Sequence, residues 1–206
     1  LAIVHIAEAL LTWRLEAARK WGRRFAKIAL ATLRKAAASG LFLSGEAAQA
    51  SFKMLATLIA QHPSGAAATE EEDDDEEDEY RGGFYAVTLA DRQLKAVASS
   101  VRVALAARRE EGSFLAQRAA TYALLRAMVK RRVLVTEIYD CIDAVADIRV
   151  TSLDRSERKR AAAIFLSFLV HYPLGPKRRR HHLAQLVEGL DYEYAEGRLA
   201  ALDSLV

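Results

Sequence analysis

The sequence predicts an all-α protein assembled from repeated helix pairs. Three observations predict it. The 206 residues are rich in Ala, Leu, Arg, Glu and Lys and include only 3 prolines, which leaves long stretches free to be helical. Apolar residues recur at spacings of three and four along most of the chain. From Ser113 onward one plan of helix, tight turn, helix and short linker returns after about 39 positions, at Ser152.

The elements follow in order. Over 1–39, Leu10, Trp13, Ala17, Trp21, Phe25 and Ile28 form an apolar stripe, with a bend expected at Gly22 and a C-cap at Gly40. Ser44 is placed to cap a helix reaching about Gln61, with Phe52, Leu55 and Ile59 inward, and Pro63 stops it. The segment 64–83 has no core pattern. Thr88 to Asp91 reads as a capping box for a helix to about Arg109, broken by Gly112-Ser113. The next helix spans about 114–131 and buries Leu115, Ala119, Tyr122, Leu125 and Met128. After a turn at 132–135, a helix over 136–150 uses Ile138, Ile142 and Val145. Asp154, with Glu157 three residues on, caps a helix whose stripe is Ala161, Phe165, Phe168, Leu169 and Tyr172. Pro176 opens a further helix at its first position, with Leu183, Leu186, Val187 and Leu190 expected inward. A last helix starts near Tyr192.

The 39-residue period fits HEAT and armadillo units, so the expected architecture is a segment of a HEAT/armadillo-like helical-repeat solenoid. An ordinary helical bundle is the alternative. The expected organisation is helical repeats over 1–63, an acidic disordered insertion over 64–83, and HEAT-like repeats over 84–206 that are truncated at the C-terminus. The chain starts at Leu1 and ends inside an apolar periodic stretch at Val206, so both ends are expected to be cut from something longer.

Charge divides the chain. The net charge is +3, but residues 70–79 are ten consecutive acids. Without them 17 acids face 30 bases, so the remainder carries +13 and suits an anionic partner. The single Cys141 excludes a disulfide framework and fits a reducing compartment. The opening LAIVHIAEALLTW lacks a charged leader and a cleavage site. It is also too short, and too interrupted by His5 and Glu8, to span a bilayer.

No motif argues for chemistry. His171, His181 and His182 bring imidazoles, but adjacent histidines on a helix point roughly 100° apart, and no Cys pair or His-Glu-x-x-His accompanies them. They read as basic surface histidines, and no metal is expected. Cys141 has no base or orienting group beside it in sequence and reads as a packed or half-exposed side chain. Asp140, Asp143 and Asp147 share one helical surface and read as a solvated face. Gly82-Gly83 lacks the spacing of a phosphate loop. No catalytic residue and no cofactor are expected.

The cations are better candidates. Lys130, Arg131 and Arg132 close a helix, where they also suit its dipole. Lys177, Arg178, Arg179 and Arg180 open a helix, where they oppose it. A structural role is therefore a weak account of that second cluster, and a phosphate backbone or an acidic protein segment is a better one. These seven residues are the candidate RNA-binding set. Arg19, Lys20, Arg23, Arg24 and Lys27 form a third patch. The acidic run is open to three readings: a shield over the basic surface, a site for basic proteins, or an inert insertion. Thr69, as Thr-Glu-Glu-Glu, suits an acid-directed kinase.

Three stretches carry a resemblance. They are ALLRAM (123–128) leading into KRRVLVTEIYD (130–140), then FLSFLVHYPLG (165–175), then LDYEYAEGR (190–198). Together they resemble the C-terminal region of the U3 small nucleolar RNA-associated protein twenty, or down-regulated-in-metastasis, family, very large HEAT-repeat proteins of the small-subunit processome. The resemblance covers about 113–206. Two departures stand out: Tyr194-Ala195-Glu196 replaces an expected His and Thr, and the 177–182 cluster is more basic than the family pattern. The resemblance implies a nucleolar, non-catalytic scaffold. Its partners would be pre-ribosomal RNA, the U3 ribonucleoprotein and processome proteins during 18S rRNA processing, with no membrane and no small-molecule substrate. The competing expectation is a karyopherin-type transport receptor, against which the basic remainder of the chain argues, or another protein-binding solenoid.

Overall fold

The computed structural model describes residues 16–38, 46–60, 89–106, 114–203 and 205. Among the described residues there are eight α-helices, one short 3-10 turn and no strand. In order they are α1 (Glu16–Ala38), α2 (Glu46–Ala60), α3 (Asp91–Ala106), α4 (Phe114–Lys130), α5 (Glu137–Thr151), α6 (Arg155–His171), α7 (Pro176–Glu188), the 3-10 turn Gly189–Asp191 and α8 (Ala195–Asp203). The expectations for 1–15, Gly40, Ser44, Pro63, the 64–83 insertion, Thr88 and Gly112-Ser113 lie outside the described residues.

Most inner faces fall where helical spacing puts them. Phe52, Leu55 and Ile59 are fully buried, as are Leu125, Met128, Ile138, Ile142, Val145, Ala161, Phe165 and Phe168. Each large side chain removed from water contributes roughly 1.5–3 kcal/mol, so these stripes hold the helices together. The buried residues form one continuous core from α1 to α7.

Three expectations need correction. Helix α1 runs unbroken through Gly22, and its buried face is Ala26, Ala29, Leu30 and Leu33, with Phe25 and Ile28 only flanking the core. Small alanines let α2 approach closely there, and alanine gives little amphipathic signal. At α6, Asp154 accepts from the Ser156 and Glu157 N–H groups, but Glu157 does not reach back to it and turns instead into the core. Ser152 Oγ accepts from the Asp154 N–H in its place. At α7 the expected stripe fails: Leu183 and Val187 are exposed, Leu190 is half-buried, and His182 and Leu186 are the buried pair.

The stacking has a fixed register. Cys141 Sγ–H donates to the Ala98 carbonyl, 43 positions earlier. Arg118 donates to Glu157, 39 positions later, and Tyr172 to Val133, 39 positions earlier. Each bond joins equivalent places in successive helix pairs, so α1, α3 and α5 stack in one layer and α2, α4 and α6 in another. Gln93 donates to the Arg23 carbonyl across 70 positions, a surplus of about thirty that falls between α1 and α3. The separations of 39 and 43 match the expected period and identify an all-α helical-repeat solenoid.

The fourth pair departs from this stacking. Helix α8 leans on α5 through Gly197 and Ala201, both buried. A Cβ on Gly197 would stand 2.7 Å from the Val150 carbonyl oxygen and 2.2 Å from the Tyr192 ring. Arg198 donates to the Tyr192 and Glu193 carbonyls at 2.8 Å each, closing the turn. This explains the Tyr192, Gly197 and Arg198 pattern quoted above. Gly197→Ala is expected to destabilise the chain by about 1–3 kcal/mol, because backbone must move to admit the methyl. Thermal unfolding checks it; an unchanged midpoint would show that the α5–α8 contact is loose.

Candidate nucleic-acid interface

Because equivalent helices run in parallel, every second connection returns to the same edge. That edge holds the α4–α5 and α6–α7 turns, which carry the two basic clusters of the candidate set. The Tyr172 hydroxyl, buried behind the α6–α7 turn, donates to the Val133 carbonyl at 2.8 Å and fastens one turn to the other. Burial pushes this phenol well above its usual range, so it stays a donor. Lys130, Arg132, Lys177, Arg178, Arg179 and Arg180 are exposed and Arg131 is half-buried. The structure therefore brings the seven cations to neighbouring turns of one rim. Arg23, Arg24 and Lys27 are exposed on α1 near the Gln93–Arg23 bond, at the end from which α3 starts. The side chains of Arg19 and Lys20 lie outside the described residues.

Each cluster carries a local cost, although Lys130 suits the dipole of the helix it ends. Arg132 takes a left-handed φ of 53°, the position after a helix end where glycine is preferred. The Val133 N–H returns to the Met128 carbonyl and the Arg132 N–H to that of Val129, a Schellman motif with Arg where Gly is usual. Arg132→Gly is accordingly expected to stabilise the chain by about 1 kcal/mol. A rise in the unfolding midpoint checks this, and a fall would mean that the Arg132 side chain holds the turn. At α7, Gly175 caps without a side chain, Pro176 fills the first position, and four cations stand at the positive end of the helix dipole.

An aromatic wall lies beneath the rim. Phe168 and Tyr172 stack at 4.8 Å, and Tyr139 meets both edge-on at 6.1 Å. The Arg178 guanidinium carbon sits 3.5 Å from the Tyr139 ring centre. Arg178 is thus anchored on a ring, while Lys177, Arg179 and Arg180 extend outward. A planar guanidinium held on an aromatic face presents its other face to solvent, a surface on which a base can stack. Tyr139 had no place in the sequence-derived set. Its signal was its position, in the first turn of the helix that follows the Lys130–Arg132 cluster.

A second basic group was also missed. Arg155, Lys159 and Arg160 are exposed at the start of α6, and Arg158 donates to the Ser152 carbonyl at 2.6 Å. Four cations within six residues was the available signal. They lie on the opposite edge, where α5 ends, so they are not continuous with the rim.

The other candidates fall as follows. Cys141 is fully buried, and burial pushes its thiol up to about 12, so it packs as a protonated group. Asp140, Asp143 and Asp147 are exposed. His171 is exposed and bonds locally to the Ser167 carbonyl. His182 is no surface histidine: it is 2% exposed, wedged edge-on against Phe165 and Phe168.

Fold and rim together define a segment of a helical-repeat solenoid whose successive turns carry cations along one edge. No family model matches the chain. Two curated proteins are similar to it. The U3 small nucleolar RNA-associated protein 20 of Schizosaccharomyces pombe is 32% identical over 84 residues, 41% of this chain and 3% of that protein. The protein of the same name from Saccharomyces cerevisiae is 25% identical over 79 residues, 38% of this chain and 3% of that protein. The family resemblance expected from the 123–140, 165–175 and 190–198 stretches is thereby supported. The matched part of this chain amounts to a small fraction of either relative's length.

Proposed function

We propose that this chain is a non-catalytic scaffold segment in small ribosomal subunit assembly, and that its cationic edge holds precursor ribosomal RNA. The names of the two similar proteins support the process, since both are associated with U3 small nucleolar RNA. The observation that carries the RNA contact is the Tyr172–Val133 bond, which sets two basic turns of successive repeats side by side. Within this reading the helix pairs are HEAT units, residues 1–63 and 84–206 are repeat segments, and 64–83 is an acidic insertion between them. The work takes place in the nucleolus, with processome proteins as further partners and the U3 ribonucleoprotein nearby. No helix of the described residues is long and apolar enough to cross a membrane.

The test is tagged purification of the full parent protein from cells, with sequencing of the RNA that comes with it. Enrichment of small-subunit precursor RNA and U3 RNA is expected. Recovery of transport factors without RNA would replace this reading with the karyopherin-type receptor.

A further inference from the structure

A second site lies one helical turn from the rim. Asp143 on α5 faces His181 and His182 on α7 across a pocket of about 550 Å³, lined by these three with Tyr139, Lys177 and Arg178. One ligand atom from each of the three lies within 4.8 Å of the other two. The Asp143 carboxylate is 3.9 Å from His182 Nδ1. The objection that adjacent histidines diverge on a helix loses force here, because the third donor comes from another repeat and both rings border the same pocket.

We propose that Asp143, His181 and His182 form a binding site for a divalent transition-metal cation of the zinc class. Two imidazoles and one carboxylate suit such ions, and one or more coordination positions stay open toward the pocket. Donors around a tetrahedral ion at bond lengths near 2.1 Å stand about 3.4 Å apart, so a closure of about 1 Å completes the site. The exposed side chains of Asp143 and His181 have that freedom. His182 is already fixed, its ring held edge-on by Phe168 at 5.3 Å and Phe165 at 6.1 Å. Gln185 supplies the supporting shell: its amide donates to Asp143 at 3.1 Å, and its carbonyl oxygen accepts from His182 Nδ1 at 2.8 Å, which assigns the ion to Nε2 of that ring. Such partners orient ligands and raise affinity.

The nearby cations oppose a bare dication, but only weakly. Repulsion between exposed like charges is weak in water and falls further with distance and salt. An anion or water on the open positions lowers the repulsion further. The site joins α5 to α7, whose apolar contact is thin, so an ion there would also fasten the last helix pair to the solenoid.

The experiment is calorimetric titration of the full chain with zinc chloride, repeated with cobalt chloride and read by visible absorption. One equivalent binding in the micromolar range is expected, with cobalt bands of a nitrogen and oxygen ligand set. Asp143→Asn and His181→Ala, both at exposed positions, should weaken binding at least tenfold, and Gln185→Ala about tenfold. His171→Ala should leave binding unchanged, and far-ultraviolet circular dichroism should be the same for every variant. Absence of uptake, or uptake that survives both Asp143→Asn and His181→Ala, overturns the proposal. The RNA reading stands or falls separately.

Discussion

Replacing Lys177, Arg178, Arg179 and Arg180 together by Glu is expected to lower the affinity of the chain for single-stranded RNA by about a hundredfold near 0.1 M salt, without unfolding it. Arg178 is seated on Tyr139, while Lys177, Arg179 and Arg180 point outward and form no ion pair among the described residues. Each phosphate neutralised on a single strand contributes roughly 0.7 to the slope of log affinity against log salt. Losing three contacts should flatten that slope by about 2. The effect on stability has the opposite sign. Four acids in the first turn suit the helix dipole, each by about 0.3–1 kcal/mol, so α7 should be as stable as before or more so. Binding that falls while the unfolding midpoint holds or rises separates a functional cluster from a structural one. Undiminished RNA affinity in the variant would remove these residues from the interface.

The largest loss of stability is expected at Arg118 and Glu157. Arg118 is 8% exposed and lies between three helices. Its Nε donates to Glu157 Oε1 at 2.6 Å, and its Nη1 donates to the Ala104 and Leu105 carbonyls at 2.6 and 2.7 Å. It thereby closes the end of α3 and ties α4 to α6. Glu157 also accepts from the Tyr122 hydroxyl at 3.2 Å and from Ser152 Oγ at 2.5 Å. Removing one partner strands the other in the core, at a cost of about 3–5 kcal/mol. Arg118→Ala and Glu157→Ala should each show this in urea unfolding. The pair changed together to Leu should lose less than the two single changes combined. A loss below about 1 kcal/mol for either single change would show that the network contributes little.

The same network sets an acid dependence. Burial alone would raise the Glu157 carboxyl, but the hydrogen bonds from Arg118, Ser152 and Tyr122 and the Arg118 charge outweigh it and hold the carboxyl below its usual range. A folded value below the unfolded one stabilises the protein above the unfolded value, near pH 4.3. That stabilisation is lost as the pH falls through the folded value. The gap between the parent chain and Glu157→Ala should accordingly narrow below about pH 4.

Much of this was legible in the sequence. The period near 39 residues, the Asp154 cap, the Pro176 start and the inner faces of α2, α4, α5 and α6 follow from spacing and turn chemistry. The misreadings share a physical cause. On α7 the most apolar stripe, Leu183 and Val187, faces outward, because Tyr139, Phe168 and Asp143 on the facing helices offer better partners to Arg178, His182 and Gln185. Helical spacing ranks residues by hydrophobicity and does not see which partners await them. On α1 close packing selected alanines over Phe25 and Ile28. Arg149 shows the limit most plainly. It is 1% exposed at the end of the inner stripe of Ile138, Ile142 and Val145, where hydrophobicity gives an arginine no place, yet it stacks 5.5 Å from Phe165 and donates to the Gln185 carbonyl at the end of α7. The 177–180 cluster stood out because its cations oppose the helix dipole, and the 130–132 cluster as a basic run closing a helix whose dipole it suits. The rim that joins them came only with the register.

The central claim is that the two tethered turns form one RNA-holding edge. Ultraviolet crosslinking of the full-length parent protein in cells, with mass spectrometry of the RNA-linked peptides, tests it most directly. The account predicts crosslinks to small-subunit precursor RNA in the peptides spanning 129–140 and 172–182 together. Crosslinks confined to the opposite edge around 155–160, or none in this segment, would contradict it.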